Sequence, residues 1–125
     1  MRTGVLFVTP HPEDADRLSQ ILGPVTLDRV GDLEEARVKL QTEPYPVILT
    51  DADLPDGGWP DVLDLAERVW PRPQVIVTYR FADGHLWTEA LGRGVYDFLA
   101  QPFYAGEVLR ILNSVFTRPA CGFAG

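Results

Sequence analysis

The sequence predicts an α/β fold, a doubly wound parallel sheet of five strands with helices on both faces. Three observations carry this. Short apolar runs without polar alternation recur at Val5–Val8, Val47–Leu49 and Val75–Val77, as expected of strands covered on both sides. Stretches with apolar residues three and four apart lie between them, the mark of amphipathic helices. Clusters of Pro and Gly separate the two kinds of segment. Strand and helix alternate five times, which implies parallel pairing. Right-handed crossovers leave few topologies, and the strand order 2-1-3-4-5 is the best fit.

The first strand, Val5–Val8, ends at Thr9-Pro10-His11-Pro12, because proline cannot continue a ladder. In the following helix Ala15, Leu18 and Leu22 share a side, and Glu13, Asp14 and Asp16 occupy the dipole-favoured first turn. Gly23-Pro24 stops it. Val25 to Val30 alternates and reads as an edge strand. Asp32 with Glu35 has the spacing of a capping box, opening a helix whose buried stripe is Leu33, Ala36 and Leu40. Glu43-Pro44-Tyr45-Pro46 is a loop into the third strand.

That strand, Val47-Ile48-Leu49-Thr50, finishes on Asp51, and Leu54 to Gly58 turns the chain toward a helix over Pro60–Trp70. A carboxylate at the carboxyl end of an apolar strand stands where open α/β sheets place ligands. Val75–Val77 finishes on Thr78. A helix is expected from about Asp83 to Leu91, and a fifth strand at Phe98–Ala100 closes at Gln101-Pro102. The last helix spans about Ala105 to Phe116. Residues 1–118 are read as one domain, of flavodoxin-like (βα)5 type, and 119–125 as a flexible tail. In this order Thr9-Pro10-His11 lies beside Asp51, with Thr78 and Gln101 on its far side.

Composition narrows the function. The chain has 125 residues, 46% hydrophobic, enough for one real core. Its net charge of −7 argues against a direct nucleic-acid partner, since phosphate demands a positive face. One cysteine, Cys121, excludes an internal disulfide and a cysteine metal cluster. No run approaches the roughly 18 apolar residues of a membrane span, and the cytoplasm is the expected location.

The pieces Asp51-Ala52-Asp53-Leu54-Pro55, Asp56-Gly57-Gly58, Val75–Thr78 and Gly94–Phe103, in this order and spacing, resemble the receiver domain of two-component response regulators. The resemblance covers Gly4 to Phe116. It implies a signalling module, not an enzyme. Asp51 would be the phosphoacceptor of a histidine kinase, and Thr78 the hydroxyl that moves toward the phosphoryl group on activation. Phe98 would be the aromatic that swings between outward and inward positions. Magnesium is the implied ion, with Asp51 as a ligand.

Two positions depart from that pattern. Thr9-Pro10, followed by His11, stands where the family has two magnesium-binding acids, and Gln101 stands where it has a lysine. Both remove charge compensation from phosphoryl transfer, which depends on positioning and neutralisation. The expectation is an atypical receiver that works through protein contacts. Its partner would be a histidine kinase, another signalling protein, or a second copy meeting the face of the fourth helix, fifth strand and fifth helix. Trp87, Arg93, Tyr96 and Tyr104 are the interface candidates, aromatic and Arg residues being favoured at interfaces. One alternative is a competent Asp51 phosphoacceptor with unusual magnesium coordination. Another is a small flavodoxin-like enzyme or cofactor binder, although no Gly-rich phosphate loop follows the first strand. His11 reads as a polar loop residue, with pairing to Asp51 as its functional version.

Overall fold

The computed structural model describes residues 4–79 and 92–117. The elements in chain order are β1 (Val5–Val8), α1 (Pro12–Leu22), β2 (Leu27–Val30), α2 (Leu33–Thr42) and β3 (Val47–Asp51). They continue with β4 (Asp53–Leu54), β5 (Gly57–Gly58), α3 (Trp59–Glu67), β6 (Gln74–Tyr79), β7 (Asp97–Ala100) and a final helix, α4 (Ala105–Thr117). The main sheet has order β2-β1-β3-β6-β7, and its four neighbouring pairs are all parallel. This is the expected 2-1-3-4-5 order, with the short antiparallel pair β4-β5 inserted after β3. The expected helix over Asp83–Leu91, His85, Trp87 and the tail with Cys121 lie outside the described residues.

Two core clusters explain the continuous apolar runs. Successive strand residues face opposite sides of a sheet. Leu6, Val8, Ile48, Val75 and Val77 pack with Ala36, Leu40, Val62, Leu63 and Ala66 of α2 and α3. Val5, Phe7, Val47, Leu49 and Ile76 pack with Ala15 and Leu18 of α1 and with Val108, Ile111 and Leu112 of α4. Central strands with both faces covered leave no position for a polar residue until the strand ends.

The helix boundaries follow local chemistry. Pro12 opens α1, where its missing N–H costs nothing. Gly23 closes it with φ 64°, a left-handed conformation that disfavours side chains. Asp32 accepts the Glu35 N–H at 2.9 Å while Glu35 accepts the Gly31 N–H at 2.6 Å, so acids satisfy donors at both sides of the α2 start. The expected helix to Trp70 ends earlier, at Glu67. Pro71 disfavours helical geometry at Trp70 before it, and the last turn closes with Arg68 N–H bonded to the Leu65 carbonyl. The expected strand from Val25 is likewise shorter, beginning at Leu27. No helix among the described residues is long and apolar enough to cross a membrane.

Candidate functional site at the carboxyl ends of the central strands

The site is the layer directly beyond the second core cluster. Phe7, Leu49, Ile76 and Leu99 are core residues of four adjacent strands on one face. Two residues further along each strand stand Thr9, Asp51, Thr78 and Gln101. Period-two geometry therefore brings these four to the same face, with Thr9, Asp51 and Thr78 side by side and Gln101 two residues beyond the Leu99 that pairs with Thr78. The pairing of Asp51 with Thr78 belongs to the β3-β6 register.

Their side chains form a continuous hydrogen-bonded row. Thr9 Oγ1 donates to Asp51 Oδ2 at 2.7 Å. Thr78 Oγ1 donates to Asp51 Oδ1, also at 2.7 Å. Gln101 Nε2 donates to Thr78 Oγ1 at 3.2 Å, and the His11 backbone N–H donates to Thr9 Oγ1 at 3.1 Å. Each hydroxyl accepts one bond and has the carboxylate as its nearest acceptor, the Thr50 carbonyl lying further from Thr78 Oγ1 at 3.4 Å. Thr9 and Thr78 are buried, and Asp51 keeps 9% of its surface. Among the described residues, no buried side-chain nitrogen or oxygen lacks a partner.

No cation pairs with Asp51 among the described residues. The nearby guanidinium of Arg29 donates instead to the Thr9 carbonyl at 2.9 Å. His11 meets the row only through its backbone N–H, and its residue is exposed. Thr9, not the His11 ring, therefore contacts the carboxylate. Pro10 contributes no side-chain donor or ligand.

This donor set does not fit a magnesium ion. Magnesium requires near-octahedral oxygen coordination and usually takes one or two carboxylates. Here one carboxylate is available, and both its oxygens already accept hydroxyl protons. Asp53 and Glu13 are exposed, and Asp14 is buried in the first turn of α1. Among the described residues no three His, Cys, Asp or Glu side chains gather.

The loop after Asp51 is anchored by contacts that sequence reasoning missed. Asp56 reaches the start of α2, accepting the Leu33 N–H at 2.9 Å and the Glu34 N–H at 3.3 Å. The aspartate thus satisfies orphan donors where the helix dipole favours an anion. Gly57 passes so close to α2 that an added Cβ would lie 2.3 Å from Leu33 Cδ1. Trp59 begins α3 and is buried in the core. The signal for the Asp56 contact was an acid in a Pro/Gly turn, but its partners lie more than 20 residues away.

The remaining candidates fall in different places. Phe98 is buried, with its ring edge-on to Tyr79 at 6.2 Å. Arg93 lies over the Trp59 ring at 5.9 Å and within 3.9 Å of Asp64, so part of its contact capacity is used within the fold. The Tyr96 hydroxyl bonds Ser114 Oγ at 2.7 Å. Tyr104 is 66% exposed, an aromatic open to solvent at the start of α4.

No family model matches the chain. It is 29% identical over 113 residues to the response regulator protein PilR of Pseudomonas aeruginosa, a match covering 89% of this chain and 25% of that protein. The chain thus spans about a quarter of the curated relative it matches. Its fold superimposes with TM-score 0.83 on the beryllofluoride-activated NtrC4 receiver domain dimer, at 29% identity over 90% of this chain and 95% of that one. The signal receiver domain of an HD domain-containing protein from Pseudomonas fluorescens Pf-5 gives TM-score 0.81 at 26% identity, over 91% and 86% of the two chains. The Vibrio cholerae chemotaxis protein CheY4 shares the fold, with TM-score 0.81 at 20% identity over 92% and 99% of the two chains.

Proposed function

We propose that this chain, a receiver domain of the response-regulator class in two-component signalling, relays its signal by protein–protein contact without phosphorylation of Asp51. One observation carries the proposal: both carboxylate oxygens of Asp51 accept buried hydroxyl protons, from Thr9 and Thr78. A carboxylate that attacks phosphorus must direct a lone pair outward, and the charge gathering there must be neutralised. The side chains bonded to Asp51 are neutral hydroxyls. A neutral donor such as Gln101 is roughly half as strong toward a phosphoryl oxygen as a charged one.

Partner binding is assigned to the surface of β7 and α4, where Tyr104 is exposed. The partner is a histidine kinase, another signalling protein or a second copy of the domain, in the cytoplasm. The surplus of acid over base, 18 against 11, disfavours nucleic acid as a direct partner of this domain. That statement concerns the domain alone, given the greater length of the matched relative.

A second reading keeps Asp51 as a phosphoacceptor with unusual magnesium coordination. It is favoured by the likeness to a receiver described as beryllofluoride-activated. Titration with magnesium and beryllofluoride, followed by tryptophan fluorescence and by NMR of the Asp51 region, separates the two. The proposal expects no saturable change. A saturable change that disappears in Asp51→Asn establishes the second reading.

A further inference from the structure

The loop that follows Asp51 carries a chemically reactive pair, Asp56 and Gly57. Pro55 and Asp56 make the turn between β4 and β5, and Gly57 begins β5. Asp56 and Gly57 are both exposed, so water reaches them. An aspartyl Cγ can close a ring onto the nitrogen of the residue after it. With glycine in that place, no side chain shields the nitrogen or restricts the backbone rotation that closure needs. The Gly57 nitrogen attacks Asp56 Cγ, a C–N bond forms and a Cγ–O bond breaks. The oxygen leaves as water, taking the amide proton and the carboxyl proton. The cyclic imide then takes up one water. Addition at Cγ restores aspartate. Addition at the main-chain carbonyl carbon breaks its bond to the Gly57 nitrogen, routes the chain through Cγ and leaves the carboxylate on Cα, which is isoaspartate. One water is lost and one gained, and nothing is oxidised or reduced.

The fold holds both reactants. Asp56 Oδ1 accepts the Leu33 N–H at 2.9 Å, and Oδ2 accepts the Glu34 N–H at 3.3 Å. Bonds to an ionised acceptor are the stronger kind. Ring closure makes Cγ tetrahedral and then removes one of its oxygens, so both contacts must be given up. Gly57 is hemmed in as well, since a Cβ there would lie 2.3 Å from Leu33 Cδ1 and 2.5 Å from Asp61 Oδ2. The following residues are tied down by the Gly58 N–H on Asp61 Oδ2 and the Trp59 N–H on the Ala52 carbonyl, each at 3.1 Å.

We propose that the Asp56–Gly57 peptide is a site of isoaspartate formation, and that the Leu33 and Glu34 N–H groups at the start of α2 set its rate. The product adds one carbon to the main chain within a tight turn and moves the carboxylate. Leu33 and Glu34 N–H then lose their acceptor, and the loop after Asp51 loses its anchor on α2. This modification is independent of whether Asp51 is phosphorylated.

Peptide mapping of the full chain after long incubation in warm neutral buffer tests it. The tryptic peptide Leu40–Arg68 carries Asp56, and the other Asp-Gly pair, Asp83-Gly84 outside the described residues, falls on Phe81–Arg93. Electron-transfer fragmentation tells isoaspartate from aspartate at Asp56. In the native wild type isoaspartate accumulates there at least about tenfold more slowly than in urea. Leu33→Pro removes one donor at a position that suits proline. It accelerates the native reaction about tenfold, the loss of one charge-assisted bond. Leu33→Ala keeps the N–H and has the smaller effect. Circular dichroism reports that the variants are folded, and Glu34→Pro replaces Leu33→Pro if the latter is not. A native wild-type rate equal to that in urea overturns the proposal, as do equal rates in wild type and the folded proline variant, or a larger effect of Leu33→Ala. Absence of isoaspartate from the native wild type after an incubation that fully converts the proline variant also overturns it.

Discussion

Replacing Thr9 by valine removes one hydroxyl and almost no volume. The hydroxyl is buried, donates to Asp51 Oδ2 at 2.7 Å and accepts the His11 N–H at 3.1 Å. Loss of a bond to a charged acceptor costs about 1.5–3 kcal/mol, and loss of the neutral one about 0.5–1.5 kcal/mol. The added methyl recovers part of this by apolar burial. The expected destabilisation is about 2–4 kcal/mol, a large share of the roughly 5–15 kcal/mol that holds a domain together. At this chain length it lowers the thermal midpoint by roughly 8–16 °C. Urea unfolding of wild type, Thr9→Val, Asp51→Ala and the double variant gives the coupling between the two residues. A coupling of about 1.5–3 kcal/mol is expected, because Thr9 loses its charged partner once Asp51 is gone. A coupling under about 0.5 kcal/mol would refute the reasoning, as would stabilisation by Asp51→Ala.

Other substitutions report on the frame around the site. Gly57→Ala places a Cβ 2.3 Å from Leu33 Cδ1 and 2.5 Å from Asp61 Oδ2, and is expected to cost about 1–3 kcal/mol in urea unfolding. Asp32→Ala removes the α2 cap and should cost about 1 kcal/mol, visible as a lower midpoint with an unchanged slope. Tyr79 titrates above its ordinary value of 10.0, chiefly because burial disfavours the phenolate, with Glu107 and Asp97 adding repulsion. Its raised folded pKa means that the associated stability is complete below about pH 10, the unfolded value, and is lost as pH rises through the folded one. Absorbance titration should show a late tyrosine that is absent in Tyr79→Phe.

Much of the site was legible in the sequence because strand periodicity is strict. Thr9, Asp51, Thr78 and Gln101 each stand at the end of an apolar run, and doubly wound topology places those ends side by side. What could not be read was which atoms meet. Thr9 was a replaced acid by position; its donation to Asp51 depends on side-chain geometry. Asp56 looked like a turn residue, but its role is a cap on a helix distant in sequence. Tyr45 stood in a Pro-rich loop and is instead 2% exposed, with its hydroxyl bonded to Asp28. The β4-β5 pair lay hidden in a Pro/Gly turn, because two-residue strands carry no periodicity. Arg93 and Tyr96 had the composition of an interface, and intramolecular partners occupy parts of both.

Asp51 is held by neutral hydroxyls where phosphoryl transfer needs charge. The most direct test is intact-mass analysis after incubation with acetyl phosphate and magnesium. The wild type and a Thr9→Asp, Pro10→Asp, Gln101→Lys triple variant are compared. The wild type is expected to stay unmodified and the triple variant to gain one phosphoryl group, lost again when Asp51→Asn is added. A wild type phosphorylated at Asp51 would contradict it.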